Sequence, residues 1–372
     1  MNQEELLHMM ALKLMPGMGS ITIQNLISYC KSPSRVFRIP RGKLLQVPAV
    51  GPKVLDGMQH ADSFRLAEQE LRYCEDHKIR ILSYLDYGYP SLLKQIPDLP
   101  ILLFVRGTLD LNSIPWVAVV GTRTPDDYGR SQTIRITESL SRSGTGILSG
   151  LAFGIDQEAH RTCLHEQGIT AAVLGHGLDR VYPWHHRSLA DKIVESGGAL
   201  ITEYISGTKP EAVHFPSRNR IVAGMSRAIL VMQAANTGGA LITAKLGFDY
   251  DRDVFAIPGD LGRRASEGCN QLIKDQIASV LSHPQQILDI LSIQEAKGHP
   301  AAITAKMQAA GVSISVEEKK VMRMLESGSV SFDILAEKCD HPIVYFNTLL
   351  LTMELKGIIR MLPGRMVCLN MS

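Results

Sequence analysis

The chain has 372 residues, 45% hydrophobic and 20% charged, which excludes intrinsic disorder and fits two or three domains at roughly 100 to 200 residues each. Its 39 Lys+Arg against 37 Asp+Glu leave a net charge of +2, so no chain-wide field advertises nucleic acid or membrane and any basic site must be local. The longest apolar runs, such as Trp116–Val120 and Ile229–Met232, fall far short of the roughly 20 residues of a membrane helix.

Residues 1–62 read as a helical domain of short helices broken by two similar turns, Met15-Pro16-Gly17-Met18-Gly19 and Val47-Pro48-Ala49-Val50-Gly51-Pro52-Lys53. The shared apolar-Pro-x-x-Gly frame resembles paired helix-hairpin-helix modules, in which glycines let turn amides approach a phosphate. Six basic residues (Lys31, Arg35, Arg38, Arg41, Lys43, Lys53) and no acid lie between Lys31 and Lys53. Two tight turns in a small packing domain with a solvated basic face account for the same residues equally well. The acidic start, Met1-Asn2-Gln3-Glu4-Glu5, carries no signal-peptide pattern, so a cytoplasmic chain with no membrane partner is expected.

Residues 63–292 alternate β-branched runs with amphipathic stretches. The expected strands are Ile81–Leu85, Ile101–Arg106, Trp116–Val120, Ile147–Leu148, Thr170–Leu174, Leu200–Ile201, Ala228–Met232 and Asp253–Ile257. Such alternation predicts an α/β fold, a Rossmann-like domain with a mostly parallel sheet under helices. A polar linker, residues 293–311, holds the break Gly298-His299-Pro300. Residues 312–372 then predict helices over Val316–Ser327, Ser331–Cys339 and Ile343–Lys356 and strands over Ile358–Met361 and Met366–Leu369. Three helices and a β-hairpin match a winged helix. Its third helix has no Lys or Arg from Pro342 to Leu355, which favours protein contact or packing over DNA reading.

The six cysteines show no C-x-x-C pair and read as reduced core thiols. His185-His186, His176 and His214 have no metal-ligand spacing, so neither metal nor cofactor is expected. Glycine and polar clusters instead follow the predicted strands of the middle domain: Gly121-Thr122-Arg123, Ser149-Gly150-Leu151-Ala152 through Asp156, Gly175-His176-Gly177, Asn236-Thr237-Gly238-Gly239 and Pro258-Gly259. In an open parallel sheet such loops converge on one crevice, with helix N-termini aimed at an anion. The P-loop pattern and the G-x-G-x-x-G spacing are both missing. Ser149, Asp156 and His160 lie close in sequence but without the G-x-S-x-G elbow of a nucleophilic serine. In His214-Phe215-Pro216-Ser217-Arg218-Asn219-Arg220, the arginines suit phosphates and Phe215 a stacked base; equally, Phe215 could be core and the arginines internal ion-pair partners.

Several motifs occur in one order: Val119-Val120-Gly121-Thr122-Arg123, Ser149-Gly150-Leu151-Ala152-x-Gly154-Ile155-Asp156, Val173-Leu174-Gly175-x-Gly177-Leu178-Asp179 with Tyr182-Pro183, Phe215-Pro216-x-Arg218-Asn219-Arg220-Ile221, Gly239-Ala240-Leu241-Ile242-Thr243-Ala244 and Pro258-Gly259. Together, over about residues 81–276, they resemble the DNA-processing protein A (DprA/Smf) family. The resemblance implies a single-stranded DNA-binding mediator of natural transformation and recombination, which protects incoming strands and loads a RecA-type recombinase without catalysis. It also implies a homodimer through the Rossmann-like domain and single-strand-binding protein as a further partner.

By the same resemblance, Gly121, Thr122 and Arg123 form the phosphate-binding turn and Ser149, Gly150, Leu151 and Ala152 a second backbone cradle. Phe215 would stack on bases, Arg218, Asn219 and Arg220 would shape or charge the pocket, and Gly238 and Gly239 would abut the strand. Gln233, His176 and Gln276-Ile277 depart from the family pattern, where Glu, a small residue or Cys, and Gly-Ala are usual. Two alternatives remain: a nucleotide- or nucleoside-cleaving enzyme using Asp156 or Glu203, and a transcription regulator acting through residues 312–372.

Overall fold

The computed structural model describes residues 1–58, 62–295, 315–325, 330–338, 343–362 and 366–369. It divides into two compact units, Met1–Pro284 and Gln285–Ser372.

The first unit begins with helices α1 (Gln3–Leu14), α2 (Ser20–Cys30), α3 (Pro33–Val36), α4 (Arg41–Leu44), α5 (Pro52–Gly57) and α6 (Asp62–Asp76). Asn2 caps α1 by accepting from the Glu5 amide at 2.8 Å. The two similar turns share a conformation: Gly17 and Ala49, at matching places in the frame, both have positive φ (77° and 63°), and Gly19 and Gly51 are the N-caps of α2 and α5. The side chain of Asn25 on α2 donates to the carbonyl of Pro48 at 3.0 Å, joining the first module to the second turn. All six basic residues from Lys31 to Lys53 are exposed.

Nine strands then form one sheet: β1 (Ile79–Ser83), β2 (Leu102–Arg106), β3 (Trp116–Val120), β4 (Gly146–Ser149), β5 (Thr170–Leu174), β6 (Ala199–Thr202), β7 (Ala228–Val231), β8 (Asp253–Ala256) and β9 (Ser279–Val280). The strand order is β1-β2-β6-β5-β4-β3-β7-β8-β9. β6 through β9 run parallel, while β2 joins β6 antiparallel and β1 joins β2 antiparallel. The eight expected strands are present with ends moved by one or two residues; β9 is additional, its two residues too short for a periodic signal. The first strand starts at Ile79 and stops at Ser83, because the Ser83 amide donates to Asp86 (2.8 Å) and turns the chain before Leu85.

Trp116-Val117-Ala118-Val119-Val120 is buried at every position, as a central parallel strand covered on both faces requires. The covering helices are α7 (Asp127–Arg142), α8 (Ile155–His165), α9 (Arg187–Glu195), α10 (His214–Met225), α11 (Gly239–Asp249) and α12 (Glu267–Lys274). The N-terminal helices share a second core with the sheet edge: Met9, Met10, Leu12, Leu26 and Val36 cluster with Ile79, Ile101, Leu102 and Phe104. Each such fully buried side chain contributes about 1.5 to 3 kcal/mol relative to exposure. Buried Glu70 on α6 accepts from the Ser206 amide at 2.9 Å and from its hydroxyl, tying the helical module to the loop after β6.

In the second unit, helices Gln285–Glu295, Val316–Met324, Phe332–Lys338 and Ile343–Leu355 accompany strands Val330–Ser331, Ile359–Leu362 and Met366–Leu369. The three strands form an antiparallel sheet, whose core includes Val321, Leu335, Phe346, Met353 and Val367. This is a winged helix-turn-helix arrangement. The first of these helices reaches Glu295, three residues into the expected linker; the rest of that linker and Cys339 lie outside the described residues. The other five cysteines are buried and unbridged.

Candidate functional site

Chain order along the sheet reverses at β3: β4, β5 and β6 lie to one side and β7 and β8 to the other. Carboxyl ends of strands at such a switch point form a crevice. Here it is a cavity of about 340 Å³, lined by Gly121, Thr122 and Arg123 after β3, Gly150 and Ala152 after β4, Gly238 and Gly239 at the start of α11, and Phe215, Arg218 and Asn219 of α10. Of the thirteen expected site residues, ten therefore meet at one place.

Its walls are fixed by hydrogen bonds between loops. The Thr122 amide donates to the Gln233 carbonyl (2.8 Å) and the Ile155 amide to the Thr122 carbonyl (3.2 Å). Gln233, fully buried, reads both ends of Asp126: it accepts from the Asp126 amide (3.1 Å) and donates to its carboxylate (2.9 Å). Asp126 in turn caps α7 by accepting from the Gly129 amide at 2.9 Å. That backbone bond first, then the Gln233 and Arg263 contacts, outweigh its desolvation and hold the Asp126 carboxyl below the usual range.

Three expected site residues do not line the cavity. Ser149 is buried and donates its hydroxyl to the Val119 carbonyl at 2.6 Å, and Leu151 points into the core with Ala172 and Leu174. Arg220 is engaged below the surface, pairing with Glu203 at 2.5 Å and donating to the Asp98 carbonyl at 2.6 Å. The expected Ser149–Ala152 cradle is also corrected in its ligand: the Gly150 and Ala152 amides donate to the chain's own Asp156 carboxylate, at 3.1 and 3.3 Å. Arg218 faces that carboxylate from the other side, donating to the Val173 carbonyl and to Asn219 Oδ1. Gly150 is required there, because a Cβ would overlap the Arg218 guanidinium. Burial raises the Asp156 carboxyl, with Arg218 and the amides opposing, and lowers Arg218, with Asp156 opposing. Arg218 is thus a buried cation held by the Val173 carbonyl and Asn219 near Asp156, and Arg220 is the ion-pair partner of Glu203, whereas Phe215 is only partly buried.

The exposed Arg123 is the cation left over. Among the described residues it has no ion-pair partner, and its guanidinium carbon lies 5.8 Å from the Phe215 ring centroid. Opposite stands the first turn of α11, whose amides have no intrahelical partner, following Gly238 at φ 143°. Asn219 braces that turn by donating to the Gly239 carbonyl at 3.2 Å. The site can therefore take an anion between Arg123 and the α11 N-terminus, with a flat group against Phe215.

A shallower groove of about 780 Å³ adjoins it and adds Tyr182 and Lys245 to Arg123 and Phe215. The Tyr182 and Phe215 rings are 6.0 Å apart. Neither residue was singled out for the site; the signals were Tyr182-Pro183 itself and a lysine directly after the Gly239–Ala244 motif. The sequence-adjacent Ser149, Asp156 and His160 form no relay: His160 Nδ1 meets Thr170 Oγ1 at 2.6 Å, and the Ser149 hydroxyl goes to Val119. Glu203 lies outside the cavity lining, committed to Arg220. Among the described residues no cluster of metal-ligating side chains occurs, and no helix is long and apolar enough to cross a membrane.

The profile of the DNA recombination-mediator protein A family matches residues 80–292, more than half of the chain. The chain belongs to that family. A DprA winged helix domain profile matches residues 305–365. Protein Smf of Synechocystis sp. is 36% identical over 300 residues, spanning 79% of this chain and 74% of its own. The X-ray structure of DNA processing protein A from Streptococcus pneumoniae superposes with a TM-score of 0.65 at 34% identity, covering 75% of this chain and 95% of that one. DNA processing protein A from Helicobacter pylori, solved for its single-stranded DNA binding mode, superposes with a TM-score of 0.52 at 26% identity, covering 57% of this chain and 95% of that one.

Within the recombination-mediator family frame, the three departures have local accounts. Gln233 replaces a carboxylate with an amide that both donates to and accepts from Asp126. Buried His176 accepts from the Tyr182 amide at 3.2 Å, bracing the loop that carries the Tyr182 ring. Gln276 sits at φ 58°, the left-handed region that glycine occupies without strain.

Proposed function

We propose that this protein binds single-stranded DNA in the Arg123–Phe215 crevice, protects it, and delivers it to a RecA-type recombinase without cleaving or joining DNA itself. The observation that carries the binding is the placing of an unpaired guanidinium between a helix N-terminus and an aromatic ring at the sheet's switch point. Phosphate and base recur together along a strand, and these groups suit them side by side. In this reading Arg123, Gly121, Thr122, Gly238 and Gly239 receive phosphate, and Phe215 receives a base. Arg218, Asn219, Gly150 and Ala152 shape the wall through Asp156, while Ser149, Leu151 and Arg220 support it from below.

Delivery to a recombinase, and action on strands coated by single-strand-binding protein, are supported by membership of a family described as recombination mediators. Pairing of two copies through the Rossmann-like domain belongs to the same proposal, as does a cytoplasmic location. The proposed division is a helical module over 1–62, the DNA-binding domain over 63–292, a linker over 293–311 and a winged helix over 312–372. The deciding experiment is recombinase filament assembly on single-stranded DNA precoated with single-strand-binding protein. Addition of the protein should shorten the lag, and an unchanged lag would remove the loading role while leaving DNA binding to its own assay.

A further inference from the structure

The Arg123 crevice continues beyond the residues described so far. Arg123 also lines a neighbouring hollow of about 330 Å³ with Arg130, Phe153, Gln157 and Arg161. Arg161 in turn lines a third hollow, of about 410 Å³, with His165, His185, His186 and Lys192. One arginine is shared by each adjoining pair of hollows, and we infer that the three act as a single furrow from Phe215 along α8 towards α9. We propose that this furrow is a second stretch of the single-stranded DNA path, in which Arg130 and Arg161 hold phosphates and Phe153 holds a base. The proposal rests on the reading of the Arg123–Phe215 crevice as a DNA site.

Charge and ring placement carry the argument. Arg123, Arg130 and Arg161 are all exposed, and among the described residues none is paired with a carboxylate. Arg161 is braced by Gln157: with the carboxamide turned to satisfy its neighbours, its oxygen accepts from Arg161 Nη1 and Nη2 at 2.9 and 2.7 Å and its nitrogen donates to His186 Nε2 at 3.2 Å. Glu158 is the one carboxylate lining the hollow with Arg130, and none lines the hollow with Lys192. Rings line the same hollows or stack on residues that do. Phe153, 43% exposed, lies edge-on to His186 with centroids 4.7 Å apart, and Trp184, 73% exposed, stacks on His185 at 3.8 Å. Exposed rings beside guanidiniums suit a polymer of bases and phosphates; a lone anion would need no rings, and an acidic protein segment would need no flat stacking faces.

The test uses the full chain and oligothymidylates of increasing length, from roughly 4 to 16 nucleotides, in fluorescence anisotropy at several salt concentrations. The double variant Arg130→Ala, Arg161→Ala should bind the shortest strands as the parent does, but lose the affinity gained with length. On the longest strands its salt slope should flatten by about 1.4, two phosphates at about 0.7 each. Arg130→Lys with Arg161→Lys should restore the slope, and Phe153→Ala should weaken long strands alone by about 5- to 150-fold. Unaltered melting temperatures would assign the losses to binding. A parental slope and affinity on long strands in the Ala double variant overturns the furrow; if Arg123→Ala still weakens the shortest strands, the crevice stands without it. Parental binding of all lengths by Arg123→Ala overturns the crevice and the furrow together.

Discussion

The Arg123 guanidinium and the Phe215 ring, 92 residues apart in sequence, lie 5.8 Å from each other at the carboxyl end of the sheet. Their proximity puts a charge and a stacking face within reach of one nucleotide, and each can be tested separately.

Arg123→Ala should weaken single-stranded DNA binding for every sequence alike and flatten the salt slope by about 0.7. The check is a salt titration on several oligonucleotides of different base composition; an unchanged slope removes Arg123 from the phosphate contacts.

Phe215→Ala should cost about 1 to 3 kcal/mol of binding and leave the salt slope alone. Leu at this position should recover little, since it fills space without offering a ring face. Full recovery by Leu in the same anisotropy assay would show that the ring only packs.

Gly150→Ala drives a methyl into the Arg218 guanidinium, which faces buried Asp156. Displacing this buried cation from its partners should destabilise the fold by about 3 kcal/mol, read as a lowered urea midpoint. Gly42→Ala, which like Gly150 has no positive φ but has nothing within 4 Å of the added carbon, is the comparison for the added methyl alone. Equal losses in the two variants would mean that the Arg218 contact contributes nothing.

Glu203→Gln leaves Arg220 with only the more distant Asp98 carboxylate, 3.9 Å away, in a site where the Glu203 and Arg220 side chains are 9% and 12% exposed. A loss of about 3 kcal/mol in urea unfolding is expected, with intrinsic DNA affinity unchanged below the transition. Weakened binding in the fully folded variant would place Arg220 back at the DNA surface.

His160 supplies a pH dependence. Thr170 donates its hydroxyl to the Ile147 carbonyl (2.8 Å), so its oxygen accepts the proton of His160 Nδ1, and Nε2 is buried without a partner. Burial, reinforced by His186 and Arg218, lowers the His160 pKa from 6.5 to about 3. The unfolded chain then binds a proton that the folded chain refuses between these values. Stability should fall as pH drops from 6.5 towards 3, by up to about 1.4 kcal/mol per unit from this group. Replacing His160 with Gln should flatten that limb in urea melts taken at stepped pH, and an unaltered limb would exclude His160 as its source.

Much of this architecture was legible in the residues. Strand-end glycines marked the crevice because parallel strands deliver their loops to one edge, and Trp116–Val120 announced a doubly covered strand by being apolar throughout. Partnership was not legible. Arg218 and Arg220 look alike beside Phe215, yet both turn inwards, Arg218 to the Val173 carbonyl near Asp156 and Arg220 to the Glu203 carboxylate on another element. The Ser149–Ala152 loop looks like an anion cradle and is one, but the anion is an internal side chain six residues from Gly150. Only the assembled sheet shows that, of the three arginines expected at the site, Arg123 is the exposed one.

The shared core between the N-terminal helices and the sheet edge bears on how the protein can be dissected. Cutting after residue 62 would uncover Ile79, Ile101, Leu102 and Phe104 at once and leave Glu70 on a helix stripped of its neighbours. A chain trimmed in that way would present a sticky sheet margin, prone to self-association. Lost DNA binding in such a fragment would then report on solubility before it reported on the basic turns. Charge reversals at Lys31, Arg35 or Lys43, all exposed, ask the same question without disturbing the seam.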